Sequence, residues 1–446
     1  MAPSPLASER TVAQRRTTLA PLVFALSADR RRVFAWALYD WANSAYATVV
    51  LAGFFPLFFK DYWAAELSAT DSTFWLGAAN SASSLLIVLL APIVGAIADR
   101  SGRRKRYLLG FALLGMVATA TLWFIGAGQW GAAAAAFALA TVGFMGANVF
   151  YDALLPEVAP AGEGDRVSAF GFALGYLGGG LLFAGCVASA LWPERFGFTG
   201  TDQAVRFAFL LTAVWWAVFS IPLLRGVRET PRAVKAGTAV REGLRQLLAT
   251  LRAVTRHRNA ALFLLAYWLY IDGVDTVVRM AVDYGRAIGF DANDLIVALL
   301  IVQFVGFPAT LVFGRLARPL GARGGIFLAL GVYALVTVWA SRMDAAWEFY
   351  AMAVVIGLVQ GGVQALSRSL FARLVPPGRA GEFFGFYNMM GKFAAVIGPV
   401  LVGTVGWLAG DPRAGILSLL VLFGAGAALL WFVEDPGEAG ESPSLG

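Results

Sequence analysis

Polar and ionisable side chains interrupt several long apolar stretches of this 446-residue sequence. The first stretch contains Tyr39, Asp40, Asn43 and Ser44 within six residues. Such side chains are costly inside a bilayer, and they usually face a partner or a water-filled cavity. An acid, an amide and a hydroxyl in one place can bind a polar solute or exchange a proton, so we interpret this cluster as part of a functional site.

Three later stretches repeat the pattern, with polar residues recurring at helical spacing. At about 100° per residue, the members of each set fall on one face of a helix. The three sets are Asn148, Tyr151 and Asp152; then Asp272, Asp275, Thr276, Arg279 and Asp283; and finally Gln360, Gln364, Ser367 and Arg368. Four polar faces on otherwise apolar helices favour a shared water-lined cavity over isolated structural polar groups.

The composition is that of a polytopic membrane protein. Hydrophobic residues make up 59% of the chain and charged residues 14%, and the mean hydropathy is +0.69, far more apolar than an ordinary globular domain. The single cysteine, Cys186, rules out an internal disulfide, and with the single histidine, His257, it disfavours a metal cage or a Ser-His-Asp site. We therefore expect no cofactor and no metal, and a membrane enzyme is disfavoured because no nucleophile and base pair is apparent.

Twelve apolar stretches approach the length of roughly 20 residues that crosses about 30 Å of hydrocarbon as a helix. These predicted spans are 34–59, 74–98, 107–127, 130–155, 167–191, 205–224, 259–282, 293–316, 324–340, 347–371, 382–408 and 414–433. They predict an all-α membrane protein of twelve transmembrane helices in two pseudo-symmetric halves of six. The expected organisation is a basic arm 1–33, a half 34–224, a basic linker 225–258, a half 259–433 and an acidic tail 434–446.

Most lysines and arginines fall in alternate loops, on one side of the predicted bundle. The positive-inside rule makes that side cytoplasmic, so both termini are expected in the cytoplasm and the protein in the cytoplasmic (inner) membrane. Basic loops on the cytoplasmic side account for the net charge of +7. We therefore do not expect nucleic acid as a partner. The expected partners are the lipid bilayer, a small-molecule solute and, if transport is coupled, protons; the protein is expected to be a monomer.

The two predicted halves echo each other. The segment 95–104 after the second span has a counterpart in 314–323 after the eighth, and the surroundings of Tyr39 and Asp40 resemble those of Tyr270 and Asp272. Repeats spaced by half the chain are typical of pseudo-symmetric transporters, whose site lies between the halves.

The loop 95–106, GAIADRSGRRKR, resembles the signature of the major facilitator superfamily between its second and third helices. More narrowly, YDWANS at 39–44, QGGVQALSRS at 360–369 and EFFGFYN at 382–388 resemble the bacterial branch related to the fungal vacuolar amino-acid effluxers. This resemblance implies the major facilitator fold, alternating access, and a central cavity lined by the first, fourth, seventh and tenth helices. It suggests an amino acid as solute. The second loop repeat departs from the pattern, because Arg318 stands in the place of Asp99.

Depth along the helices, at about 1.5 Å per residue, separates two groups of residues. Asp40 lies roughly 9 Å inside the cytoplasmic end of its helix, and Asp152 and Arg368 lie close to the same side, so these three are predicted to form a cytoplasmic gate. Lys392 and Asp272 lie near the midplane. We predict that they pair, and that the opened pair holds the carboxylate and the ammonium of a zwitterion.

The loop after the second span is predicted to form a separate latch. Asp99 can face the positive N-terminus of the eleventh helix, expected at about Glu382, while Arg103, Arg104 and Glu157 complete the network. A loop that only sets the membrane orientation is the alternative, although it leaves Asp99 unexplained.

The predicted residues thus form two sets. The substrate-binding set contains Asn43, Ser44, Asn148, Tyr270, Asp272, Asp275, Gln360, Gln364, Asn388 and Lys392. The set for gating or proton coupling contains Tyr39, Asp40, Asp99, Arg103, Arg104, Asp152, Glu157, Arg279 and Arg368.

Each assignment has a structural alternative. Asp40 could be satisfied by its own neighbours, and Lys392 could belong to a purely structural ion pair. Asp275 and Arg279 could form an intrahelical ladder, and the two glutamines of the tenth helix could bond between helices.

The function expected from these residues is secondary active or facilitative transport by alternating access, of amino acids or similar small polar or zwitterionic solutes. Proton coupling through Asp40 or Asp272 is part of this prediction. Two alternatives stay open: an exporter of amphipathic drug-like or lipidic compounds, and a membrane receptor or scaffold that does not transport.

Overall fold

The computed structural model describes residues 30–67, 69–160, 162–229, 257–287, 292–409 and 412–436. Within these ranges the secondary structure is helical, with no strand. Most of the predicted arm, linker and tail lies outside them, and so do the side chains of Arg279, Asp283 and Lys392.

Six helices form the first half of the bundle. Their bounds are α1 Arg30–Trp63, α2 Ala69–Ser101, α3 Arg104–Phe124, α4 Trp130–Val158, α5 Gly164–Leu191 and α6 Thr201–Gly226. They enclose a core rich in aromatic side chains, among them the fully buried Trp36, Phe55 and Trp216. The sequence places aromatic side chains on the inward faces of these helices, and their large rings fill the space between them.

The remaining six helices form the second half around a core of their own, which includes Tyr333, Phe371 and Phe384. Their bounds are α7 Arg258–Ala287, α8 Ile296–Ala317, α9 Pro319–Ala340, α10 Ala346–Leu374, α11 Ala380–Ala409 and α12 Arg413–Trp431. The kink between α8 and α9 is at Gly321, in the first turn of α9, whose φ of 69° is a left-handed conformation that glycine adopts at little cost.

All twelve predicted spans fall on helices of the structure. Within the described ranges, eleven helices are long and apolar enough to cross a membrane. The one predicted span not among these eleven is the eleventh, 382–408, and it corresponds to α11, a helix of 30 residues. The chain is therefore a multi-pass, all-helical membrane protein.

The first helix departs from regular α-geometry immediately after its polar cluster. It is α-helical over Arg30–Ala45 and π-helical over Tyr46–Phe54, and a second π-helical segment covers Phe59–Trp63. π-Helical segments are rare and often occur at functional sites.

Helix α5 approaches α1 closely through glycines. A Cβ atom on Gly175 would lie 2.5 Å from Ser44 Oγ, and a Cβ atom on Gly178 would lie 2.6 Å from Trp41 Cδ2. Side chains larger than hydrogen would therefore push the two helices apart. This close approach sets the polar cluster of α1 directly against α5.

The two halves meet mainly where α5 packs against α8 and α10, and where α2 packs against α11. The ring of Tyr176, from α5, reaches into the second half. It lies in a slot whose walls are Gly306 of α8 and Gly361 of α10, since a Cβ atom on either glycine would come within 3 Å of the ring.

Candidate functional site

A buried guanidinium joins the two halves near the ends of α4 and α10. Arg368 of α10 is 2% exposed. Its Nη1 lies 3.4 Å from Oδ2 of Asp40 on α1 and 3.2 Å from Oδ1 of Asp152 on α4. Its Nε donates to Ser168 Oγ at 2.9 Å and its Nη2 to Ser168 O at 2.8 Å. The three residues predicted to form a gate are therefore in contact.

Aromatic rings surround this guanidinium. Its carbon lies 4.1 Å from the ring centroid of Phe172 and 5.0 Å from that of Trp36. Tyr151 donates a hydrogen bond of 3.1 Å to Asp40 Oδ2 and stacks on Trp36 with 4.4 Å between ring centroids. A buried guanidinium charge is costly unless its surroundings compensate it. Here two carboxylates, two hydrogen bonds to Ser168 and several ring faces do so.

Helix α11 joins the same cluster. Asn388 donates from Nδ2 to Asp152 Oδ2 at 3.1 Å. Tyr39 is fully buried and packs against Tyr151 with 5.2 Å between ring centroids, so its ring supports the cluster from behind. We name the set Asp40, Tyr151, Asp152, Ser168, Arg368 and Asn388 the Arg368 cluster.

A second network lies where α2 ends and α11 begins. Asp99 Oδ1 accepts a hydrogen bond of 2.9 Å from the backbone N–H of Gly381, in the first turn of α11. Arg104 donates from Nε to the same oxygen at 2.7 Å and pairs through Nη1 with Glu157. The predicted contact between Asp99 and the N-terminus of α11 is therefore present. Arg103 differs from the prediction because it is exposed, while Arg104 carries the network.

A third contact between the halves lies where α5 begins and α10 ends. Asp165, in the first turn of α5, accepts from Arg373 Nη1 at 2.8 Å. Arg373 also binds Asp435, at 3.1 Å through Nε and 2.9 Å through Nη2. These three residues were missed from the sequence. The only signal was an acidic residue in the first turn of a helix, which is common and therefore uninformative.

Two adjoining cavities lie between the halves. The first, of about 210 Å³, reaches the Arg368 cluster, and we name it the charged compartment. Its polar lining consists of Asp40, Asn148, Tyr151, Asp152, Tyr267, Asp275, Gln364, Arg368, Tyr387 and Asn388. A solute in this compartment can meet acceptors for an ammonium group and donors for a carboxylate.

The second cavity, of about 320 Å³, extends away from Arg368, and we name it the amide compartment. Its amide lining consists of Asn43, Asn148, Gln303, Gln360 and Gln364. Phe144 and Phe172 line both cavities, as do Asp40, Asn148 and Gln364. The two compartments are thus parts of one space between the halves.

Most of the predicted substrate-binding residues line these compartments. They are Asn43, Ser44, Asn148, Asp275, Gln360, Gln364 and Asn388. Within the amide compartment, Asn43 Nδ2 donates to Asn148 Oδ1. The polar faces recognised in the sequence therefore converge between the two halves.

Tyr270 and Asp272 lie elsewhere, and this corrects their predicted position. Neither side chain has any exposure. Tyr270 Oη lies 2.6 Å from Ser367 Oγ, and both carboxylate oxygens of Asp272 accept from the backbone N–H of Gly398 at 3.0 Å. These residues hold α7 against α10 and α11. The predicted pair between Asp272 and Lys392 stays a prediction, because the Lys392 side chain is outside the described part of the chain.

Helices α5 and α8 contribute lining residues that the sequence interpretation did not include. Gln303 of α8 donates from Nε2 to Thr48 Oγ1 of α1, and Tyr176 of α5 donates to Gln364 Oε1 at 3.5 Å. An amide in an apolar helix was a usable signal for Gln303. Phe172 and Tyr176 gave none, because aromatic residues are common on every face of these helices.

Sequence comparisons connect the chain to known transporters. Residues 62–162 and 159–437 match the family model described as "Vacuole effluxer Atg22 like". The MFS-type transporter YxiO of Bacillus subtilis is 38% identical over 403 residues, which cover 90% of this chain and 94% of YxiO. Autophagy-related protein 22-2 of Emericella nidulans is 26% identical over 308 residues, 60% of this chain, and the match spans about half the fungal protein, 51%.

Solved structures show the same fold. The human organic anion transporter MFSD10 superposes with a TM-score of 0.69 at 17% identity, covering 91% of this chain and 100% of that structure. The proton:xylose symporter XylE superposes with a TM-score of 0.66 at 15% identity, covering 91% and 96%. With its sequence matched to the family model over most of its length, and its helices arranged as in these transporters, the chain belongs to the Atg22-like family of the major facilitator superfamily.

Proposed function

We propose that this protein moves amino acids, or similar small zwitterionic solutes, across the cytoplasmic membrane by alternating access. One observation carries the proposal: the cavity between the halves has a charged end and an amide end, and the Arg368 cluster crosses from one half to the other at the charged end. A small molecule with separate charged and neutral polar parts matches that division.

The lining chemistry supports a zwitterion. Asp40, Asp152 and Asp275 supply carboxylate oxygens that accept from an ammonium group. Asn148 and Gln364 supply amide N–H groups that donate to a carboxylate. Phe144 and Phe172 cover the solute between them. No nucleotide is needed for this mechanism, because a solute gradient or an ion gradient can drive it.

The halves 34–224 and 259–433 are proposed to rock around this cavity, with 225–258 as the connection between them and both termini in the cytoplasm. Opening toward the side where α2, α4 and α10 end requires Arg368 to separate from Asp40 and Asp152. Protonation of Asp40 removes one of the two charges that hold Arg368, so proton uptake would favour opening. The transporter is proposed to work as a monomer.

Uptake into proteoliposomes tests the proposal. Purified protein is reconstituted, and the uptake of labelled amino acids is followed with and without an imposed pH gradient. We expect uptake above that of empty liposomes, and a faster rate with the gradient. Equal uptake rates with and without the pH gradient would contradict proton coupling alone. Uptake of a hydrophobic dye, but of no amino acid, would contradict the whole proposal.

The matched variants are Arg368→Gln and Arg413→Gln. Arg368 is in the buried cluster, and Arg413 pairs with Asp344 at an exposed position away from the cavity. We expect Arg368→Gln to abolish uptake and Arg413→Gln to retain it. Equal activity of the two variants would remove the Arg368 cluster from the transport mechanism.

A further inference from the structure

The two compartments differ sharply in charge. Among the lining residues that the structure describes, the charged compartment contains Asp40, Asp152, Asp275 and Arg368. In the amide compartment, Asp40 at the border is the one aspartate, glutamate, lysine or arginine of the described lining. Five amides and the hydroxyls of Ser44, Thr48 and Tyr176 line the rest of its polar surface. The part of a solute that enters it therefore meets neutral hydrogen-bonding groups.

The amide groups of this compartment have hydrogen-bonding capacity to spare. Each primary amide has two N–H donors and a carbonyl that accepts twice, and the contacts between Gln303 and Thr48 and between Tyr176 and Gln364 use part of it. Gln360 Oε1 is buried and accepts no hydrogen bond from any described residue. A buried acceptor of this kind is a group that a bound N–H or O–H would satisfy.

The apolar part of the lining limits what fits beside the amides. Val278, Leu299 and Val302 line the same compartment. An ionised side chain would be desolvated there, and an acidic one would also approach Asp40. A purely aliphatic side chain would fit the apolar wall but would leave the surrounding amides without partners. Sites built for hydrogen bonding discriminate against ligands that leave their polar groups unpaired.

We infer that the amide compartment receives the side chain of the transported amino acid, and that it selects uncharged side chains with amide or hydroxyl groups. Glutamine and asparagine fit best, because an amide offers both a donor and an acceptor to the glutamines around it. The α-ammonium and α-carboxylate then lie in the charged compartment. This inference rests on the proposed transport of amino acids and assigns Gln360 as a specificity-determining residue.

Binding to the purified protein tests the inference without requiring transport. Thermal stability is measured against the concentration of glutamine, asparagine, serine, leucine, glutamate and lysine, since a ligand of the folded state raises the unfolding temperature. We expect glutamine and asparagine to bind most tightly. Gln360→Met should weaken glutamine binding about tenfold, the effect of one lost hydrogen bond, and should leave leucine binding unchanged or stronger.

The outcomes separate this inference from the proposed function. If leucine or lysine binds the wild-type protein as tightly as glutamine, the selectivity is wrong while amino-acid transport stands. If Gln360→Met lowers the affinity for glutamine and leucine equally, Gln360 does not set specificity. If no amino acid binds or moves, both proposals fall. Should Gln360→Met fail to fold, the order of affinities in the wild-type protein decides the question alone.

Discussion

At the scale of single residues, Arg368 has the most demanding position. Its side chain is 2% exposed and contacts two carboxylates that are themselves about nine-tenths buried. Removing one member of such a group leaves the others buried and uncompensated, which costs more than the intact interaction contributes. The Arg368 cluster is therefore expected to be important both for stability and for the closed arrangement of the two halves.

The first prediction concerns the stability of Arg368→Gln. We expect the free energy of unfolding to fall by about 3–5 kcal/mol, because Asp40 and Asp152 lose their shared partner. Combining it with Asp40→Asn should recover part of the loss. Denaturant unfolding in detergent measures both, with Arg413→Gln as the control that should change by at most about 1 kcal/mol. A loss no larger than that of the control would contradict the role given to Arg368.

The second prediction concerns two glycines of α11. A Cβ atom on Gly398 would lie 2.0 Å from Thr276 Oγ1 and 2.8 Å from Asp272 Oδ1, whereas a Cβ atom on Gly403 would meet nothing within 4 Å. We expect Gly398→Ala to destabilise the protein by about 1–3 kcal/mol through overpacking. Gly403→Ala should be neutral or slightly stabilising, since alanine favours helices. Equal unfolding temperatures for the two variants would show that α7 and α11 are not in close contact there.

At the scale of elements, α11 is the helix held by acidic side chains from three others. Its first turn donates to Asp99 of α2, Asn388 donates to Asp152 of α4, and the backbone N–H of Gly398 donates to Asp272 of α7. Two of these contacts cross between the halves and one lies within the second half. Helix α11 can therefore leave the first half while its attachment to α7 persists.

The third prediction follows from the contact between Asp99 and α11. Asp99→Ala removes a charged acceptor from Gly381 N–H and Arg104, and we expect the state open on that side to gain about tenfold in population. The measurement uses a Cys186→Ser background that carries Gly391→Cys, because Gly391 lines the charged compartment. The rate at which this cysteine reacts with a maleimide reports the opening. The reaction should accelerate several-fold.

The control for this measurement is Asp202→Ala, which breaks only a 3.5 Å pair with Arg206 within one turn at the start of α6. Its labelling rate should match that of the unchanged background. An Asp99→Ala protein that reacts no faster than this control would show that the contact does not hold the gate closed.

Some of this arrangement could be predicted from the sequence, and particular residues show why. The lengths of the apolar stretches predicted the helices. The helical periodicity of the polar residues, together with their depth in the membrane, predicted that Asp40, Asp152 and Arg368 lie together. Both predictions succeed because they depend only on spacing along the chain. The orientation of Asp272 depends instead on the backbone N–H of Gly398, which belongs to another helix. Such a partner cannot be identified without the packing of α7 against α11.

At the scale of the whole molecule, three contacts between the halves that involve charged side chains lie toward one face of the bundle. The Arg368 cluster, the contact of Asp99 with α11, and the pair of Asp165 with Arg373 all lie where α2, α4 and α10 end. Rocking that opens this face must separate these contacts together. The cost is shared by several charged groups, so a bound solute or a proton is expected to bias the balance between the two states.

Counterflow in proteoliposomes tests the central claim most directly. Vesicles loaded with unlabelled glutamine are diluted into a trace of labelled glutamine, so that exchange through one alternating site drives the label inward. We predict a transient accumulation of label above its equilibrium level with the wild-type protein, and none with Arg368→Gln or with empty vesicles. Label that only equilibrates with the wild-type protein, or accumulates equally with Arg368→Gln, would contradict alternating access through this cavity.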